Sequence, residues 1–269
     1  MTQKISRYFL LTFICVFGFC SGVLAHEAWL APAKFKISIN EELQADYKIG
    51  SNFKGNTQPF ISNWNRDFRL SNGKQNSKIE GEDGQRPAVK IIQPTQGLNI
   101  LTLHTSTSKL TFKKWEKFQT YLKTQGIQQI ESQHIERGLP KEGFTEGYRR
   151  CAKTLVQVGE VQGKDQAVGM PLEFVLVKGL YGQEGETVEI KLLWNGQPLG
   201  NAQVQVWDKR DLSPENENPQ SYFKTDANGS FSFTPKLGGE FMMSSVHMVA
   251  ADNPKYVWES YWANLTFAR

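Results

Sequence analysis

The stretch AQVQVWD, residues 202–208, decides the fold class, because its apolar and polar residues alternate without interruption. Alternation with a period of two residues is typical of a β-strand with one buried face. Asn195–Gly196, which precedes this stretch, is a strong hairpin signal. Further strands are predicted around it at residues 172–177, 187–194, 222–224 and 230–234. Short strands at this spacing indicate an immunoglobulin-like β-sandwich, which we assign to residues 166–269.

The residues before this sandwich also contain strand patterns. Alternating or apolar runs predict strands at residues 34–39, 43–49, 89–92 and 98–104. We therefore expect a β-rich amino-terminal domain over residues 26–165. The predicted fold is mainly β, with two β-sandwich-like domains, of which the carboxy-terminal one is immunoglobulin-like.

A helical insertion is expected in or after the first domain. In KLTFKKWEKFQTYLKTQGI, residues 109–127, Trp115, Phe118 and Leu122 recur at three- and four-residue spacing, and Gly126 is a natural helix end. The helical segment is placed at about residues 111–137. A second segment stays open, since Phe144, Tyr148, Cys151 and Leu155 show helical spacing whereas residues 154–158 alternate like a strand.

The first 25 residues have the order of a secretory signal peptide. Lys4 and Arg7 precede the apolar run FLLTFICVFGF, residues 9–19, and small residues lead to Ala25. The apolar run is shorter than the roughly 20 residues that a membrane-spanning helix needs. We predict cleavage after Ala25 and a periplasmic or secreted protein without membrane insertion after cleavage.

Charge and cysteine content exclude several classes of function. Without Lys4 and Arg7 the chain has 29 basic against 27 acidic residues, which gives no argument for a nucleic-acid partner. Cys15 and Cys20 lie in the predicted leader, so Cys151 alone remains. An internal disulfide and a paired-cysteine zinc site are therefore excluded. Cys151 lies on the apolar stripe of its segment and is expected to be a buried structural thiol.

Cleavage after Ala25 would make His26 the first residue of the mature protein. Its α-amine and ring Nδ1 could chelate one metal ion, and nitrogen-rich sites suit Cu²⁺ or Ni²⁺. A third nitrogen could come from His247 or His134. The alternative is that His26 frays in solvent, as many chain termini do. Trp29 and Leu30 oppose fraying, because they are expected to anchor the strand in the core.

Other candidate residues have simpler interpretations. His104 ends a predicted strand, and Glu27 is expected to be a solvated carboxylate. Trp258, Tyr261 and Trp262 could stack on sugars, but alternation places both tryptophans on one strand face, which favours core packing. Gly-x-Ser-x-Gly, His-Glu-x-x-His and phosphate-loop motifs are absent, so we do not expect an enzyme.

Several stretches together resemble a known family. They are HEAWLAP (26–32), IGSNFKGNTQPF (49–60), WEKFQTYLKTQG (115–126), HIERGLPKEGFTEGYRRCAKTLVQVG (134–159), GMPLEFVLV (169–177), TDANGSFSF (225–233) and WESYWANLTF (258–267). They resemble the NikM-like exported bacterial family of unknown function, domain of unknown function family 4198. The resemblance covers essentially the whole mature chain. It implies a secreted, two-domain β-rich protein and a periplasmic component of nickel or cobalt uptake.

The resemblance also marks individual positions. Those that match the family's pattern are His26, Trp29, His134, Arg150, Lys153, His247, Trp258 and Trp262. Cys151 departs from the aromatic residue or histidine expected there, and His104 falls outside the family's motifs.

We therefore expect a periplasmic accessory protein that binds a divalent transition metal, nickel, cobalt or copper, and passes it to a metal-uptake transporter. Its predicted ligands are His26, His247 and His134. Two alternatives remain at this stage. One is a structural or protein-interaction β-sandwich module without metal, and the other is a histidine-brace copper oxygenase with an open aromatic surface.

Overall fold

The computed structural model describes residues 26–73, 75–212 and 221–269, so the predicted leader lies outside the described residues. The helices are α1 (Trp115–Gln125) and α2 (Gln129–Glu136), and single 3-10 turns cover Ser62–Trp64 and Lys209–Asp211. The strands, in chain order, are β1 (Glu27–Pro32), β2 (Lys36–Ile37), β3 (Leu43–Ser51), β4 (Lys54–Gln58), β5 (Asn65–Ser71), β6 (Asn76–Lys78), β7 (Val89–Ile91), β8 (Gly97–Thr105), β9 (Ser108–Phe112), β10 (Phe144–Val158), β11 (Leu172–Lys178), β12 (Val188–Trp194), β13 (Gln197–Pro198), β14 (Gln203–Asp208), β15 (Ser221–Lys224), β16 (Ser230–Phe233), β17 (Glu240–Ala250) and β18 (Trp258–Ala268).

A central sheet of ten described strands runs through the molecule. Its order is β15-β14-β17-β18-β10-β8-β5-β6, and β2 and β9 also pair with β10. β10 and β18 pair in parallel, with Glu146 opposite Trp258 and Thr154 opposite Thr266. The sheet contains strands from both sides of residue 165, and the domain boundary placed there stays a prediction.

The sandwich sheet, formed by β11, β12, β13 and β16, covers one face of the central sheet. Side chains that alternate along β8, β10, β17 and β18 meet those of the sandwich sheet in a single apolar core. The members of this core include Leu155, Phe174, Ile190, Phe241, Leu265 and Phe267. This unit is the immunoglobulin-like sandwich that the alternating strands predicted.

The amino-terminal sheet, formed by β1, β3, β4 and β7, packs on the opposite face of the central sheet. A second core joins Ala28, Leu30 and Tyr47 of this sheet to Leu101 and Val156 of the central sheet. The edge strand β1 is also tied down by a hydrogen bond, because Thr266 Oγ1 donates to the Leu30 carbonyl at 2.7 Å. The mainly β fold with two sandwich-like units is therefore confirmed, and the two units share one long sheet.

The predicted helical insertion is confirmed as α1 and α2. Both helices pack on the face of the central sheet that also carries the amino-terminal sheet. α1 ends at Gly126, which is left-handed (φ 69°), as the sequence indicated. Phe118, Tyr121 and Leu122 of α1 are buried against Trp258 and Trp262. The helical spacing thus marks the side of α1 that faces the sheet.

One segment left open by the sequence is a strand in the structure, and one predicted strand is shorter than expected. Residues 144–158, which were compatible with a helix or a strand, form the single strand β10. The strand predicted over residues 34–39 is reduced to Lys36–Ile37, because Ile39 is 54% exposed and only two residues pair with the end of β10.

A buried ion-pair triad fixes the segment that connects the two units. Lys153 Nζ lies 2.9 Å from Asp165 Oδ1 and 2.8 Å from Glu173 Oε1, and its side chain has no exposed surface. Nζ also donates to the carbonyl oxygens of Gln166 and Phe174. The carboxylate of Glu173 in turn accepts backbone N–H groups of residues 168–170. Lys153 therefore holds residues 165–174 against the central sheet through ion pairs and hydrogen bonds.

Glu146 is a second buried charge-bearing group, at the contact between α1 and the central sheet. Its Oε1 accepts hydrogen bonds from the hydroxyls of Tyr121 and Ser260, while Oε2 has no partner within the described residues. Burial raises the pKa of Glu146 from 4.5 to about 7, although the two hydroxyl donors act in the opposite direction. The folded protein therefore keeps this proton to higher pH than the unfolded chain does.

We expect Glu146 to make stability fall as the pH rises. Its contribution is fully present below pH 4.5 and is lost as the pH approaches 7. Glu146→Gln should therefore raise the free energy of unfolding at pH 8 by up to about 3 kcal/mol and change it little at pH 4.5. Urea unfolding at both pH values measures this difference. Glu142→Gln, at an exposed position, is the control. A Glu146→Gln effect that is equal at both pH values would contradict the expectation.

Candidate metal-binding site at the amino-terminal strand

The amino-terminal strand is firmly anchored. Trp29 and Leu30 are 1% and 0% exposed, which confirms them as core residues. β1 pairs with β3 over its full length, from Glu27 opposite Gly50 to Pro32 opposite Ala45. The main chain therefore has a defined position directly after His26.

The side chain of His26 is exposed, whereas its backbone carbonyl is fixed by hydrogen bonds. Its carbonyl oxygen accepts hydrogen bonds from Nε and Nη2 of Arg150, both at 3.4 Å. Its side chain borders an open cavity of about 680 Å³. The polar residues that line this cavity include Ser51, Asn52, Lys54, Asn56 and Gln58.

The hairpin between β3 and β4 closes over β1 with a strained turn. Asn52 and Phe53 both have positive φ, 56° and 61°, which is rare for a bulky aromatic residue. The Phe53 ring packs edge-on against Trp29 at 5.7 Å between ring centroids, which holds the turn in place. Gly55 lies so close to the Trp29 ring that an added Cβ would sit 2.6 Å from Cη2. The HEAW strand and the SNFKG hairpin therefore fit together as one unit.

Glu27 is buried, so the expectation of a solvated carboxylate was wrong. Only 7% of Glu27 is exposed. Burial raises the pKa of Glu27 to about 7, and backbone N–H donors of Glu27 and Asn52 together with Arg150 oppose this rise. Glu27 Oε2 has no hydrogen-bond partner in the described part of the chain.

Arg150 connects this region to the central sheet. Its guanidinium lies 4.9 Å from the centre of the Tyr148 ring. The residue is 8% exposed, and its charge faces Glu27. Arg150 thus positions His26 through the backbone and lies beside Glu27 without forming a close ion pair with it.

His134 is buried among aromatic side chains of the helical insertion. Trp258 Nε1–H donates to His134 Nδ1 at 3.0 Å, so Nε2 carries the proton and donates to the Pro140 carbonyl at 3.0 Å. Burial lowers the pKa of His134, which favours this neutral form. Both ring nitrogens are therefore engaged, and neither is available to a metal in this arrangement.

His247 lies on the other face of the central sheet. It is opposite Tyr261 in the β17–β18 ladder. The centre of its ring lies 4.6 Å from the centre of the Trp194 ring in the sandwich sheet. The neighbouring pair of Val246 and Trp262 points to the face that carries the helices. The sheet therefore separates His247 from His134.

Four further residues considered in the sequence analysis are buried. Trp258 and Trp262 are both 0% exposed, which confirms core packing and leaves no sugar-stacking surface at these residues. Cys151 is buried as expected, and burial raises the pKa of its thiol to about 12. His104 is 9% exposed, and burial together with Arg149 lowers its pKa to about 4.

The structure does not assemble the predicted three-histidine site. His26 lies at an exposed strand end. His134 is buried between the helices and the central sheet, whereas His247 lies on the sandwich face of that sheet. Within the described ranges, no group of three or more histidine, cysteine, aspartate or glutamate side chains is placed to hold a metal ion. The residues fit only a partial site, in which His26 would supply its ring nitrogen and, if the chain is cleaved after Ala25 as the sequence predicts, its α-amine.

The sequence did not reveal the partners of His26. Glu27, Asn52 and Arg150 come together through pairing between distant segments. The one available indication was that the stretches which carry the family resemblance include all three residues. The folded chain brings these three residues together from three separate stretches of the sequence.

The fold and this site define the chain as a mainly β protein with an immunoglobulin-like sandwich and an anchored histidine at its amino-terminal strand. The chain belongs to the family described as Domain of unknown function (DUF4198), whose model matches residues 23–249. The resemblance noted in the sequence is thereby confirmed.

Comparison with other proteins adds little about function. No curated protein matches the chain. Among solved structures, the D0-D1 domain of Intimin is 12% identical, with 89% of this chain and 97% of that chain covered and a TM-score of 0.22. The Yersinia pseudotuberculosis adhesin InvE is 11% identical, with 91% and 61% covered and a TM-score of 0.21. Scores this low carry no argument. None of the described helices is long and apolar enough to cross a membrane.

Proposed function

We propose that the protein is a periplasmic accessory protein that captures a divalent transition metal, nickel, cobalt or copper, and hands it to a metal-uptake transporter. The ligands are the α-amine and imidazole nitrogen of His26, which cleavage after Ala25 makes the first residue. The observation that carries the proposal is the combination at His26 of a main chain fixed by Arg150 and an exposed side chain.

The geometry favours delivery over permanent storage. His26 offers two nitrogen ligands, and the remaining coordination positions face an open cavity rather than a third histidine. A metal held by two ligands at an exposed strand end stays accessible to a receiving protein. Amine and imidazole donors suit Cu²⁺ and Ni²⁺ in particular.

The oxygenase alternative receives no support from the clustered tryptophans. A copper oxygenase of the histidine-brace type would need an aromatic binding surface near its metal. Trp258 and Trp262 are buried, and Trp258 is hydrogen-bonded to His134. We therefore do not propose an oxidative activity.

The decisive experiment compares metal binding by two forms of the protein, one that starts at His26 and one that starts at Ala25. The extra residue converts the α-amine of His26 into an amide and leaves the imidazole intact. Titration with Cu²⁺ and Ni²⁺ should show an affinity about 10- to 100-fold lower for the extended form.

His247→Gln in the form that starts at His26 is the matched control. His247 lies on the opposite face of the central sheet, so this variant should bind both metals as tightly as the unmodified protein. Equal affinities of the two amino-terminal forms would reject the chelating terminus. The interaction-module alternative predicts that neither form binds metal.

A further inference from the structure

A cavity of about 500 Å³ opens at the end of the sandwich where β8 begins and β10 and β18 end. Leu98 and Leu155 line it, and both belong to the buried core between the central and sandwich sheets, with 3% and 2% exposure. The cavity is therefore an opening into that core. Its volume falls within the range of small-molecule binding sites.

The rim of this cavity is also apolar. Val161, Tyr181 and Leu237 line it and are 55%, 41% and 40% exposed, respectively. The Tyr181 hydroxyl donates to Gln157 Oε1 at 2.6 Å and so fixes the loop between β11 and β12 beside the opening. Exposed apolar side chains around an apolar cavity are typical of a binding site for an apolar molecule.

One wall of the cavity is cationic. Arg269 donates from Nη1 to the Glu186 carbonyl and from Nη2 to the Gln183 carbonyl. Its Nε is buried and has no hydrogen-bond partner among the described residues. Lys36 also lines the cavity. The carboxylate of Glu240, at the same opening, is already paired with Lys209 Nζ at 2.6 Å.

We propose that this cavity binds an elongated apolar molecule that ends in a carboxylate, of the fatty-acid type. Its chain lies between the exposed rim residues Val161, Tyr181 and Leu237, and its carboxylate lies against the cationic wall formed by Arg269 and Lys36. The attraction between opposite charges favours a carboxylate over an uncharged end at this wall. The site is separate from His26 and independent of the metal-binding proposal.

The test is calorimetric titration of the mature protein with decanoate, kept below its micelle concentration, and with decanol as the uncharged analogue. We expect saturable binding of one decanoate per chain, and an affinity for decanol about tenfold lower. Absence of saturable decanoate binding would overturn the proposal. Equal affinities for the two molecules would overturn the assigned role of Arg269.

Three variants locate the site. Arg269→Gln should reduce the decanoate affinity to that of decanol. Val161→Asp places a carboxylate on the rim and should weaken decanoate binding about tenfold, because like charges repel. Ile92→Asp is the matched control, since Ile92 is 78% exposed and does not line the cavity. Equal effects of Val161→Asp and Ile92→Asp would show adsorption elsewhere and would overturn the proposal.

Discussion

Lys153→Met is expected to lower the free energy of unfolding by about 3–5 kcal/mol, since it leaves buried carboxylates without their cation. Asp165 and Glu173 would then lie close to each other with no counter-charge, at almost fully buried positions. Burial already raises the pKa of Asp165, with Lys153 as the main opposing influence. The segment that these carboxylates hold, residues 159–171, should detach first.

Lys209→Met provides the comparison for this prediction. Lys209 pairs with Glu240 at 2.6 Å, but both side chains are largely exposed, at 56% and 41%. An exposed pair contributes at most about 1 kcal/mol. Urea unfolding of both variants at pH 7 measures the difference. If Lys153→Met costs no more than Lys209→Met, the buried triad does not stabilise the fold.

Trp29→Ala is expected to cost about 3–5 kcal/mol, the usual effect of removing a large aromatic side chain from a core. Trp29 fills a small cluster with Trp207 and Met242, and it supports the strained turn at Phe53. Without the indole ring, the turn loses the contact that compensates for the positive φ of Phe53. The melting temperature should fall by about 6–20 °C.

The control for Trp29→Ala is Trp64→Ala. Trp64 is 47% exposed, and its replacement should change stability by about 0.5 kcal/mol or less. Hydrogen exchange of the β1 amides adds a local measurement, because loss of the anchor should increase exchange next to His26. Unchanged protection of β1 in Trp29→Ala would show that the strand is held by its backbone pairing alone.

The helix α1, which has one buried face, could be predicted from the sequence, whereas the strand β10, which is buried on both faces, could not. α1 was recognisable because only one side of it is covered, so Trp115, Phe118 and Leu122 mark that side. β10 was not, because it is central and buried on both faces. Phe144 and Tyr148 point to the helical side while Cys151 points to the sandwich side. Their helical spacing is therefore a coincidence of two opposite faces.

The part of the candidate site that is local in the chain was predictable from the sequence, and the part that depends on long-range pairing was not. His26 and its anchors Trp29 and Leu30 are neighbours in the chain, so a local pattern revealed them. The separation of His134 from His247 depends on strand register and on which face of the central sheet each occupies. The burial of Glu27 depends on Asn52 and Arg150, which approach it only in the folded protein. Such long-range pairing leaves no periodic mark in a single sequence.

The position of β18 also constrains the order in which the molecule can assemble. β18 lies between β17 and β10 and pairs with both along most of its length, although β10 precedes it by more than a hundred residues. Until β18 is in place, β10 and β17 present unpaired backbone groups to each other across an open gap. Pairing of such distant segments is slow, and unpaired strand edges promote aggregation. We therefore expect the central sheet to close late, when β18 pairs with β10.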